Sequence, residues 1–147
     1  MSKLIICSFD VRHMPQGCST WPALWESKTT NWPYGGEVDI LEGVNDVGPN
    51  TMTLHTAPGC TMPTSRNQTG KTLSTDCNAL ANGNSGCGVG DPQAKSYGPA
   101  FNENGGGWFA MERTATTIKI WFWPRDGSPP QEVRSGGNQI NTDNWVS

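Results

Sequence analysis

The stretch Gly35-Gly36-Glu37-Val38-Asp39-Ile40-Leu41-Glu42-Gly43-Val44 decides how this chain is read. Val38, Ile40, Leu41 and Val44 supply the apolar run of a strand, and the glycines punctuate it. Three carboxylates interrupt that run. Glu37 and Asp39 are two positions apart and share a face. Glu42 has the opposite parity, and a β-bulge between Asp39 and Glu42 would turn it onto the face of the other two. Crowded carboxylates repel, so their protons do not all leave at ordinary pH. Glycoside hydrolysis uses such a pair, one group protonated and one ionised. In its retaining form the two carboxyls stand about 5–5.5 Å apart. Alternate strand residues are about 6.5–7 Å apart at the backbone, so positions 37 and 42 can flank one sugar bond with Asp39 between them. Taken alone, the triplet also describes a solvated face of an antiparallel sheet, which is its commoner origin.

The neighbouring sequence shifts that balance. Cys18-Ser19-Thr20-Trp21-Pro22-Ala23-Leu24-Trp25, Asn31-Trp32-Pro33, the acidic strand and Met52-Thr53-Leu54-His55-Thr56 together resemble glycoside hydrolase family 16. The likeness is greatest to its laminarinase-type endo-1,3(4)-β-glucanases, which carry Glu-x-Asp-x-x-Glu on a bulged strand of a β-jelly roll. It is strong over residues 13–57 and weaker over 98–125. The resemblance implies that Glu37 is the nucleophile, Glu42 the acid/base and Asp39 the carboxylate between them. It implies that Trp25 and Trp32 face sugar and that His55 lies in the cleft beside the carboxylates. Tyr34 departs from the family pattern, where a smaller polar residue is usual, so the loop before Glu37 is expected to be shaped differently.

The 147 residues make one domain at most. All-β sandwiches often run to about 200–250 residues, so the resemblance implies a jelly roll incomplete at both ends, with residues 1–147 a partial catalytic domain. The net charge of -3 and the lack of a Lys/Arg cluster argue against nucleic-acid binding. No apolar run is long enough for a membrane helix, and Met1 to Cys7 is too short for a signal peptide. Five cysteines in a Gly- and Trp-rich chain suggest an oxidising compartment and one or two disulfides, with at least one thiol left over. The family is typically secreted, so an extracellular location is expected. The sequon Asn67-Gln68-Thr69 agrees with secretion but is a common chance match. No zinc spacing is present, and neither a metal nor a cofactor is expected.

Strands are expected over Lys3–Val11, Thr20–Trp25 and Asn50–Thr56, and a hairpin over Trp108–Arg113 and Ile118–Trp123. Pro22 points to an edge or bulge. Trp21 is assigned to the core, as are Ile118, Ile120 and Phe122; Trp121 and Trp123 are expected to pack against the second layer of the sandwich. Met52 and Leu54 suit the core, which sends His55 to the polar face. Residues 58–107 read as a long loop that Cys60, Cys77 and Cys87 could pin. His13 and the tail from Asp126 carry no functional signal.

The leading expectation is a monomeric, retaining endo-β-glucanase acting on a β-1,3 or mixed β-1,3/1,4 glucan polysaccharide. A glucan-wall transglycosylase shares the same intermediate and differs in acceptor. A non-catalytic glucan-binding sandwich would not need all three carboxylates, and an inactive fragment is the remaining alternative.

Overall fold

The computed structural model describes residues 4–137 and 140–145. Among these, eight strands form two antiparallel sheets. The strands are β1 (Ile5–Val11), β2 (Ala23–Ser27), β3 (Glu37–Glu42), β4 (Thr51–His55), β5 (Lys71–Thr72), β6 (Cys87–Gly90), β7 (Gly107–Arg113) and β8 (Ile118–Pro124). One sheet has the order β2-β3-β4-β6-β5 and the other β1-β7-β8. Two short helices, α1 (Gly98–Glu103) and α2 (Gln131–Ser135), lie outside the sheets. The expected all-β sandwich is therefore present. No helix among the described residues is long and apolar enough to cross a membrane.

Period-2 alternation places Phe109 and Met111 of β7 and Phe122 of β8 in the core between the sheets, and Val38 and Leu41 of β3 join them across an irregularity at Ile40. Leu24, Met52, Leu54 and Ile120 pack against them. Phe101 of α1 fills the space that the strands leave. Its ring centroid lies 6.0 Å from Phe109 and 6.1 Å from Phe122, and those two are 4.8 Å apart. Burying each such ring contributes roughly 1.5–3 kcal/mol. Arg113 of β7 reaches the opposite sheet, where its Nε donates to Glu26 at 2.6 Å. A cavity of about 460 Å³ lies beside this pair, between Val38 and Leu54 on one side and Arg113 and Ile118 on the other.

Several expectations are corrected. The second strand begins at Ala23 rather than Thr20, because Pro22 lacks the N–H a ladder needs. Trp21 is not core; it is 68% exposed. Ile118, at the start of β8, is also exposed. Residues 58–107 are less loop-like than their composition suggests: they supply β5, β6 and α1, and bury Tyr97 and Phe101. Trp121 is buried, but it and Trp123 pack edge-on against Trp145 of the tail at 5.1 and 5.2 Å, not against the second sheet. The first strand begins at Ile5; Lys3 lies outside the described residues. Cys77 and Cys87 form a disulfide, while Cys7, Cys18 and Cys60 carry free thiols among the described residues.

Candidate active site

β3 is an interior strand of its sheet, with the edge strand β2 on one side and β4 on the other. Against β2, Asp39 faces Trp25, Leu41 faces Leu24 and Glu42 faces Ala23, so Ile40 is skipped. That extra residue is the bulge the parity argument requires. It leaves Val38, Ile40 and Leu41 buried and brings Glu42 to the face of Glu37 and Asp39. Against β4, Glu37 faces His55 and Asp39 faces Thr53. The imidazole thus joins the carboxylates from the neighbouring strand.

Asp39 is 3% exposed and His55 6%. Nε2 of His55 lies 3.3 Å from Oδ2 of Asp39. Hydrogen bonding to Asp39 holds the imidazole pKa above its ordinary 6.5; burial opposes this, and the charges of Asp39 and Glu37 add to it. Ligand atoms from Glu37, Asp39 and His55 all lie within 4.8 Å of one another. Groups this close can share a proton or hold a cation between them, and hydrolysis by paired carboxylates requires only the proton.

The outer two carboxylates each meet an indole. Trp32 Nε1 donates to Glu37 Oε2 at 3.2 Å, and Trp21 Nε1 donates to Glu42 Oε1 at 2.9 Å. An indole N–H only donates, so it favours an ionised partner. At Glu42 other influences prevail. Burial, and then the charge of Asp39, raise its pKa above the ordinary 4.5, against the lowering by Trp21 and His55. Glu42 is therefore pushed toward its protonated form, as a proton donor requires.

Trp25 and Trp32 are exposed around this face, as are Trp21 and Tyr34. Of the expected site residues, Glu37, Asp39, Glu42, Trp32 and His55 come together through direct contacts or shared register, and Trp25 stands opposite Asp39 on β2. Trp21 was missed as a site residue. Its signal was the following proline, which holds residue 21 in an extended conformation outside the ladder. The disulfide Cys77–Cys87 ties the intervening loop to the end of β6. In that loop Gly86 has φ +58°, and a Cβ there would lie 2.9 Å from His55 Nδ1 and 2.7 Å from the Leu54 carbonyl. Only glycine allows the loop this close to the histidine.

The profile of the "XgeA-like, catalytic GH16 domain" matches residues 2–147. An endo-1,3(4)-β-glucanase of Arthroderma benhamiae is 46% identical over 125 residues, 82% of this chain and 27% of that protein. A structure of GH16 Laminarinase 16A from Phanerochaete chrysosporium, with β-glucans in both donor and acceptor sites, superposes with a TM-score of 0.93 at 59% identity. It covers 95% of this chain, which spans 47% of that one. An elongating family 16 β-1,3-glucosyltransferase superposes with a TM-score of 0.79 at 40% identity, over 94% of this chain and 45% of its own. With the bulged acidic strand in place and nearly the whole chain matched, the protein belongs to glycoside hydrolase family 16.

Proposed function

We propose that residues 1–147 carry the catalytic machinery of a retaining endo-β-glucanase acting on β-1,3 or mixed β-1,3/1,4 glucans outside the cell. The observation that carries this reading is the bulge at Ile40, which sets Glu37, Asp39 and Glu42 on one face while the Glu42 pKa is raised. Glu37 attacks the anomeric carbon and forms the glycosyl-enzyme ester as the bond to the leaving oxygen breaks. Glu42 gives its proton to that oxygen. It then takes a proton from the water that cleaves the ester, and Glu37 leaves as a carboxylate. Asp39, paired with His55, lies within proton-sharing reach of Glu37 and holds negative charge between the two glutamates. Trp25 and Trp32 offer flat apolar faces for the C–H faces of glucose rings. The enzyme is read as a monomer that needs no cofactor.

Transfer to a second glucan in place of water is the runner-up. The likeness to an elongating β-1,3-glucosyltransferase favours keeping it in view. Both readings share the ester and differ in what resolves it.

The test is chemical rescue. Glu37→Ala should abolish cleavage of laminarin, and added azide should restore turnover with a product of inverted anomeric configuration. Near-normal cleavage by Glu37→Ala without azide would overturn the assignment. Product analysis in the unaltered protein separates the two readings, since a transferase yields longer oligosaccharides from a single donor.

A further inference from the structure

A bulge leaves backbone groups without their usual ladder partners, and these must be satisfied elsewhere if they are buried. In β3 the ladder to β4 ends at the Asp39–Thr53 pair. Beyond it, Asn50 takes over. Its Nδ2 donates to the Ile40 carbonyl at 3.0 Å, and its Oδ1 accepts from the Glu42 N–H at 2.9 Å. One side-chain amide thus supplies the donor and acceptor that a strand peptide would have offered. The two groups it holds flank Leu41 and bracket the turn that brings Glu42 onto the acidic face.

Asn50 is itself held. It is fully buried. Its N–H donates to Ser96 Oγ at 3.0 Å, and that hydroxyl donates to the Gln93 carbonyl at 2.7 Å. The Gln93 N–H donates to Asp91 Oδ1 at 2.7 Å, and the Asp91 N–H donates back to the Asn50 carbonyl at 2.9 Å. This closed circuit fastens the amide to the segment between β6 and α1. On the far side of Glu42, a Cβ at Gly43 would lie 2.4 Å from the Tyr97 ring, so the strand passes directly against that buried ring as it leaves Glu42.

We propose that Asn50 is a positioning residue that acts through Glu42: its amide clamps the strand from the bulged Ile40 to Glu42 and aims the acid/base carboxyl at the leaving oxygen. This rests on the reading of Glu42 as acid/base. The clamp costs catalysis when lost because a misplacement of about 1 Å can lower a rate about 100-fold. Loss of aim at Glu42 slows the steps in which it gives or takes a proton and spares the first release of a leaving group that needs none.

Two readouts on Asn50→Ala test it. Hydrogen exchange at the Glu42 amide should accelerate, while exchange in β7 stays slow. Turnover of laminarin should fall by roughly 10–100-fold with KM held within a few-fold. Release of dinitrophenolate in the first turnover of a dinitrophenyl glucoside, which needs no proton, should stay within a few-fold of the unaltered chain. Unchanged exchange at Glu42, or equal losses on the two substrates, would overturn the clamp. Asn50→Asp guards against a variant that does not fold. Its carboxylate keeps an acceptor for the Glu42 N–H but sets a second acceptor against the Ile40 carbonyl; protonation restores the donor. Laminarin turnover relative to the unaltered chain should therefore recover as pH falls, and a ratio independent of pH would count against the clamp. Glu42→Ala is the control on the parent reading. If it cleaves laminarin normally, the acid/base assignment fails, whereas amide exchange still decides whether Asn50 holds the bulge.

Discussion

The two ends of β3 carry the same residue type in different structural settings. At Glu37 the strand is regular, paired with Ser27 on one side and His55 on the other. At Glu42 the ladder to β4 has ended, one residue is skipped against β2, and a side-chain amide replaces a strand. Each glutamate receives one indole N–H, from Trp32 and Trp21 respectively. The difference therefore lies in the backbone. The regular end keeps Glu37 and Asp39 on a period-2 face beside His55, and the irregular end adds Glu42 to that face with a carboxyl desolvated enough to hold a proton. In the proposed mechanism, two chemically identical groups take an attacking and a donating role according to where the strand breaks its own rule.

The strongest way to break this comparison is to remove each glutamate in turn. Glu37→Ala should lose cleavage of every β-glucoside, by more than the roughly 10²–10⁴-fold that a general acid contributes. Glu42→Ala should lose about 10²–10⁴-fold on laminarin yet keep the first turnover of a dinitrophenyl glucoside. Equal profiles for the two variants, measured by burst kinetics, would erase the distinction between the ends of the strand.

A core variant sharpens it by separating stability from aim. Phe109 touches Phe101 and Phe122 and is fully buried. Phe109→Ala should destabilise the sandwich by about 3–5 kcal/mol in denaturant titration. Total activity should then fall alike on laminarin and on the activated substrate while activity per folded molecule is kept, because the bulge is untouched.

The two indoles provide a finer contrast. Trp21 lowers the Glu42 pKa by donating to its carboxylate. Trp21→Phe removes that donor, so Glu42 should hold its proton to higher pH. The alkaline limb of kcat/KM should move to higher pH. Trp32→Phe should leave that limb in place and weaken glucan use instead.

The smallest expected effect lies in the anchor behind Glu42. Burial raises the Asp91 pKa from 3.8 to about 6, with the Gln93 N–H opposing. A carboxyl raised on folding contributes stability that is present below pH 3.8 and is lost as pH rises through about 6. Asp91→Asn keeps the acceptor for Gln93 and removes the buried charge. Its Tm should exceed that of the unaltered chain by roughly 2–4 °C at pH 7, for about 1 kcal/mol, with little gain at pH 4. A larger gain at pH 4 than at pH 7 would contradict the sign.

Local sequence already determined much of this protein. The alternation of Val38 with Glu37 and Asp39, and of Met52 and Leu54 with His55, assigns core and cleft faces without any structure, because strand side chains alternate with period 2. The wrong parity of Glu42 announced the bulge for the same reason. Tertiary structure alone decided the rest. Trp21 reads as core from its hydrophobicity, yet it lies outside the sandwich with its indole on Glu42, because burial depends on which surface the fold brings over a side chain. Residues 58–107 read as loop from their glycines and asparagines, yet Cys87–Gly90 completes a ladder with β4, since a flexible segment takes its conformation from the edge it meets. Asn50 lies eight positions from Glu42 in the chain and shows no pattern with it. Their bond forms only when β3 and the segment before β4 fold back on each other, and the buried backbone groups left by the bulge must then find a partner.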